Sequence, residues 1–71
     1  MALTRIFGRN VRRARQKKGM TIEGLADAVG LSYSYMGELE RGKRNPTLRV
    51  VENLAVVLET PPTALLAESR V

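Results

Sequence analysis

The chain has 71 residues, with 12 Lys and Arg against 7 Asp and Glu, a formal charge of +5, and neither cysteine nor histidine. So small a core contributes only about 3–5 kcal/mol, and without disulfides or the common zinc ligands the domain must rely on helix packing or self-association. The same absences remove most nucleophile–base pairs and argue against an enzyme, while the basic balance points to a polyanion, nucleic acid before an acidic membrane.

Five short helices are predicted. In the first, Leu3 to Lys18, the apolar residues Leu3, Ile6, Phe7, Val11 and Ala14 recur at helical spacing opposite a basic face. Gly19 ends it, and Lys17 and Lys18 suit the negative end of its dipole. Thr21 is a natural N-cap for the second helix, which turns Leu25, Ala26 and Val29 inward and closes at Gly30. Ser32 caps the third, Tyr33 to about Arg41, with Met36 and Leu39 inward and Gly42 at its end. A polar turn, Arg-Gly-Lys-Arg-Asn-Pro, leads to Thr47, the cap of a fourth helix carrying Leu48, Val50, Val51, Leu54, Ala55, Val57 and Leu58. Pro61 and Pro62 suit only a first helical turn, so a short fifth helix follows, with Leu65 and Leu66 apolar. No stretch alternates long enough for a strand.

The charge is concentrated. Arg5, Arg9, Arg12, Arg13, Arg15, Lys17 and Lys18 precede the first acid, Glu23, and Arg41, Lys43, Arg44 and Arg49 form a second group. The three aromatics, Phe7, Tyr33 and Tyr35, are too few for a base-stacking platform. No apolar run approaches the ~18 residues of a membrane span. The N-terminal ten residues lack the apolar stretch of a signal peptide, so a cytoplasmic protein is expected.

The second and third helices are eight or nine residues each, joined by a short turn at Gly30. This is helix-turn-helix spacing. Ala26 is small enough for a close crossing, Gly30 makes the sharp turn, and Met36 plugs the space between the helices. The stretch MTIEGLADAVGLSYSYMGELERGKRNPTL resembles the lambda-repressor-like domain of the Cro/xenobiotic-response-element regulators, and the likeness runs from about Phe7 to Leu66. Its short form also looks like the controller proteins of restriction–modification systems. The family often carries Gln at the first position of the second helix, where this chain has Ile22.

The resemblance implies an all-α, compact five-helix fold with a central helix-turn-helix. One domain spans 1–71, with the helix-turn-helix at about 21–41 and a dimerisation region at about 47–71. It places the third helix in the major groove, with Ser32, Tyr33, Ser34, Tyr35 and Glu38 at base-reading positions. Ser32 is fully accounted for as a cap, a reading that outweighs base contact, and Tyr35 can pack its ring and still point its hydroxyl at a phosphate or base. Glu38 is either an acceptor for a cytosine amino group or a solvated residue near Arg41. Arg41, Lys43, Arg44 and Asn45 fall where the family touches the DNA backbone, with a narrow minor groove as another destination for Arg44. Arg15 and Glu40 match a structural pair that clamps the recognition helix.

The fourth and fifth helices hold more apolar residues than one small core needs. Val50, Val57, Leu58 and Leu65 are therefore expected to form a dimer interface, with Leu54 and Leu66 in the monomer core. The function implied is a sequence-specific double-stranded DNA-binding regulator, a homodimer on a two-fold operator. A restriction–modification controller is the first form of this reading, and an antitoxin or phage-type repressor the second. RNA polymerase is a candidate further partner. No cofactor, metal, membrane or small-molecule ligand is indicated. Readings of another class are a protein-interaction module and a binder of RNA or membrane surfaces by charge alone.

Overall fold

The computed structural model describes residues 2–68; Met1 and residues 69–71, the end of the expected dimerisation region, lie outside the described residues. Five helices follow in chain order: α1 Leu3–Lys17, α2 Ile22–Val29, α3 Tyr33–Glu40, α4 Leu48–Leu58 and α5 Pro62–Leu65. No strand occurs among the described residues.

Local chemistry sets most of the boundaries. Thr21 Oγ1 accepts the Gly24 N–H at 2.9 Å, Ser32 Oγ the Tyr35 N–H at 3.0 Å, and Thr47 Oγ1 the Val50 N–H at 3.2 Å. Each satisfies a backbone donor that the helix leaves free, worth about 1 kcal/mol. Between α2 and α3, Gly30 takes a left-handed conformation, φ 73°, and the Leu31 N–H reaches back to Ala26 O at 2.9 Å. A side chain with a Cβ would be strained there, so this glycine sets the angle of the motif.

The core is one cluster drawn from all five helices: Phe7 and Val11, Leu25 and Ala26, Met36 and Leu39, Val51, Leu54, Ala55 and Leu58, and Leu65. Ala26 and Met36 sit in it as the motif requires, since α2 and α3 pack together over α1 and α4. Ile22 is half-buried and packs against the core. At the position where the family often has Gln, this chain therefore uses an apolar anchor.

Two features of α1 were not anticipated. A Cβ at Gly8 would lie 2.3 Å from Leu39 O and 2.8 Å from Glu40 O, so α1 crosses the end of α3 where no side chain fits. Asn10 Nδ2 donates to Leu65 O at 2.8 Å and Ala67 O at 2.7 Å, with a longer approach to Ala64 O at 3.4 Å. The last carbonyls of a helix lack partners within it, and this one amide ties the end of the short helix to α1.

The expected division of apolar residues in α4 and α5 needs correction. Leu58 and Leu65 are 3% and 1% exposed, so they belong to the monomer core and have no surface left for a second copy. Leu66, expected inside, is 36% exposed, and Leu3 is half exposed. Four residues of α5 are one turn, and one turn can bury only one of two consecutive leucines.

Candidate nucleic-acid interface

The third helix is held by its inner face and offers its outer one. Met36, Gly37, Leu39 and Glu40 are buried, and at about 100° per residue Ser34, Glu38 and Arg41 turn away from the core. Tyr33 and Tyr35 flank that stripe. Tyr33 is 61% exposed and makes no side-chain hydrogen bond among the described residues, whereas Tyr35 is half-buried against the core cluster. Ser32 and Ser34 are exposed, with the Ser32 hydroxyl already engaged as the cap.

The inner attachment is ionic. Arg15 Nε donates to Glu40 Oε2 at 2.7 Å and its Nη2 to Glu40 Oε1 at 3.0 Å, a forked pair with both residues 9% exposed. Arg15 Nη1 also donates to Met20 O at 2.8 Å in the turn between α1 and α2. One guanidinium thus joins α1, that turn and α3. Forked, charge-assisted geometry of this kind fixes orientation as well as distance.

The loop after α3 is shaped by Gly42, at φ 76°. Its N–H donates to Leu39 O at 3.1 Å, and the Lys43 N–H donates to Glu38 O at 2.9 Å. This paired closure turns the chain back along α3. A Cβ at Gly42 would stand 2.9 Å from Arg5 Cα, so the turn also rests on α1.

The reversal carries Arg44 over the helix it has just left. Arg44 Nε donates to Glu38 Oε1 at 2.7 Å, and the guanidinium carbon sits 5.3 Å from the centre of the Tyr35 ring. Glu38 therefore pairs with Arg44, where the sequence suggested Arg41 as its neighbour. Arg41 instead folds along the helix, its Nη1 at 3.4 Å from where a Cβ of Gly37 would be. Lys43 and Asn45 are exposed beside this cluster.

The basic surface continues on α1, where Arg5, Arg9 and Arg12 border a groove shared with Glu40 and Arg41. Among the described residues no group of His, Cys, Asp or Glu could hold a metal ion, and no helix is long and apolar enough to cross a membrane.

The apolar surface lies elsewhere. Leu3, Pro46, Leu48, Val51 and Leu66 line one groove, and Leu48, Val51, Leu66 and Pro62 continue into the next. Leu48 is 83% exposed, whereas Val50 and Val57 are partly buried against the core. Val56, which the sequence reading passed over, is also exposed.

A family described as a helix-turn-helix domain matches residues 6–68. The chain is 47% identical over 53 residues to the uncharacterised HTH-type transcriptional regulator YazB of Bacillus subtilis, covering 75% of this chain and 77% of that one. Its fold is similar to the restriction–modification controller protein C.AhdI of Aeromonas hydrophila, with a TM-score of 0.85, 40% identity, and coverage of 92% of this chain and 98% of that one. It also resembles SinR, the master regulator for biofilm formation, in a crystal structure in complex with DNA: TM-score 0.81, 29% identity, 86% of this chain and 98% of that one. With the capped α2 and α3, the glycine turn and the small–glycine–methionine crossing, these matches place the chain in the helix-turn-helix family of transcriptional regulators, of the Cro/xenobiotic-response-element kind, with a DNA-binding domain of lambda-repressor-like fold.

Proposed function

We propose that the protein is a cytoplasmic regulator that binds a two-fold operator in double-stranded DNA as a homodimer and reads its sequence through α3. The observation that carries this reading is the outer stripe of α3: polar, exposed or half-exposed, clamped from behind by Arg15, and bordered by the exposed cations Arg41, Lys43 and Arg44. Tyr33, Ser34 and Glu38 read base edges, Tyr35 contributes its hydroxyl, and Ser32 sets the start of the reading helix. Arg41, Lys43, Arg44 and Asn45 hold the backbone, a term that lowers affinity as salt rises. The similarity to C.AhdI favours a restriction–modification controller among the possible regulators, and RNA polymerase is the partner such a regulator would meet at a promoter.

Dimerisation follows from specificity and from surface. One motif reads only a few base pairs, and two copies on one side of the duplex place half-sites about 10 base pairs, or ~34 Å, apart. The exposed residues Leu48, Pro62 and Leu66 supply an apolar patch for a second copy, while Val50 and Val57, partly buried against the core, lie on the other side of α4.

Selection from a randomised duplex library, followed by footprinting of the selected sequence, tests this reading. The expected product is an inverted repeat protected on one face of the helix, and Tyr33→Ala and Ser34→Ala lose preference at defined positions. Retention of all sequences alike would reject a sequence-specific regulator in favour of binding by charge alone.

A further inference from the structure

Arg44 is poised between two incompatible partners, and we infer that this makes one phosphate contact conditional on sequence. The inference rests on the DNA-binding reading above. In the free protein the Arg44 guanidinium is committed to Glu38 at 2.7 Å and seated on the Tyr35 ring at 5.3 Å. Glu38 lies on the outer stripe of the reading helix and Tyr35 at its edge, so the ion pair occupies the surface that would meet the major groove.

A duplex that displaces Arg44 onto a phosphate strips Glu38 of its counter-charge. DNA carries one negative charge per ~1.7 Å of axis, so a bared carboxylate there is repelled unless the groove offers it a donor. In the major groove that donor is an exocyclic amino group, and cytosine N4 suits a carboxylate better than adenine N6, which has the N7 acceptor beside it. Opposite cytosine, Glu38 changes partners and Arg44 moves to the backbone. Opposite guanine or thymine, which offer only acceptors, Glu38 keeps Arg44, and the phosphate contact is not made. The two residues together make a specificity device: Glu38 senses the base, and Arg44 reports the result as affinity.

Lys43 is the natural control. It is adjacent and exposed, and its side chain has no acidic partner among the described residues. Its phosphate contact is therefore available on every sequence.

The experiment measures dissociation constants over a salt series for the library-selected duplex and for sheared mixed-sequence duplex. The variants are Glu38→Ala, Glu38→Gln, Arg44→Ala, Lys43→Ala and the Glu38→Ala/Arg44→Ala pair. Glu38→Ala and Glu38→Gln are expected to free Arg44 on mixed-sequence DNA. Binding there tightens, and the log–log salt slope steepens by about 0.9 per protomer. Discrimination falls on the order of tenfold, the worth of about one base contact. Arg44→Ala is expected to weaken the selected duplex far more than the mixed one, and in the Glu38→Ala background to weaken both equally. Lys43→Ala weakens both equally. Equal loss on both duplexes for Arg44→Ala, with unchanged mixed-sequence binding and slope for the Glu38 variants, overturns the device while leaving the DNA-binding reading intact. Failure of the unmodified protein to retain any duplex overturns both. Thermal melts of each variant confirm folding, and Glu38→Gln keeps the shape of the side chain in case Glu38→Ala does not fold.

Discussion

Helix α3 carries two glutamates two residues apart, each paired with an arginine, and the two pairs have opposite character. Glu40 faces inward and meets Arg15 in a forked pair that is almost wholly covered. Glu38 faces outward and meets Arg44 through a single bond, with the arginine side chain half exposed. The difference is one of dielectric and of alternatives. A buried pair has no water to exchange with, so losing one member leaves a charge uncompensated. An exposed pair is screened and worth about 0–1 kcal/mol, which leaves it free to change partners. A rotation of about 200° around one helix separates a clamp from a contact that can be released.

The comparison is broken most forcefully at Glu40. Glu40→Ala leaves Arg15 buried without its partner and is expected to cost about 3–5 kcal/mol, comparable to the whole stability of so small a domain. Chemical denaturation should find it largely unfolded. A loss under about 1 kcal/mol would make this pair no different from the outer one.

Gly8→Ala tests the same attachment without touching a charge. The new Cβ meets two backbone carbonyls, at 2.3 and 2.8 Å, neither of which can swing aside as a side-chain end does. Helix propensity alone would favour Ala by about 1 kcal/mol. The expected net outcome is nonetheless a loss of about 1–3 kcal/mol, because α1 must move off α3. A stabilised variant would show that the two helices separate easily.

Glu38→Ala should change stability by no more than about 1 kcal/mol, since its partner is left in water. A loss as large as that at Glu40 would make the outer pair structural and remove the basis for its release on DNA.

The smallest expected effect is at Glu59. This residue ends α4 in a left-handed conformation, φ 54°, and its Oε1 accepts from Lys18 Nζ at 2.8 Å. That hydrogen bond and the lysine charge hold the carboxyl below its ordinary value of 4.5. A lowered folded-state value means the pair supports the fold fully above the unfolded value and is lost as pH falls through the lowered one. Melts between neutral and acid pH should therefore show a slightly larger acid loss in the unmodified protein than in Lys18→Ala. Raised salt should shrink the gap, as for any exposed pair.

Much of the fold was legible because its signals are local. Thr21, Ser32 and Thr47 announce helix starts by a hydrogen bond spanning three residues, and Gly30 announces a turn by its own backbone freedom. Gly8 had a local signal too, a glycine inside a helix where Ala would be favoured, but its cause is the backbone of α3, more than thirty residues away. Asn10 had none: an amide on a helix surface does not reveal that the end of α5 will arrive above it.

Among the site residues, the sequence by itself determined which side of α3 is polar, because residue type and helical period are properties of the chain. The partnership of Arg15 with Glu40 was reached by family resemblance, since spacing alone does not join residues 25 positions apart. Only the tertiary structure decided that Glu38 pairs with Arg44 and not with Arg41, because the choice depends on how the closure at Gly42 folds the loop back. The same holds for α4 and α5. Periodicity groups residues onto a face, but whether the face meets the core or the solvent depends on the angle at which a helix docks. That angle buries Leu58 and Leu65 and leaves Leu48 and Leu66 in water.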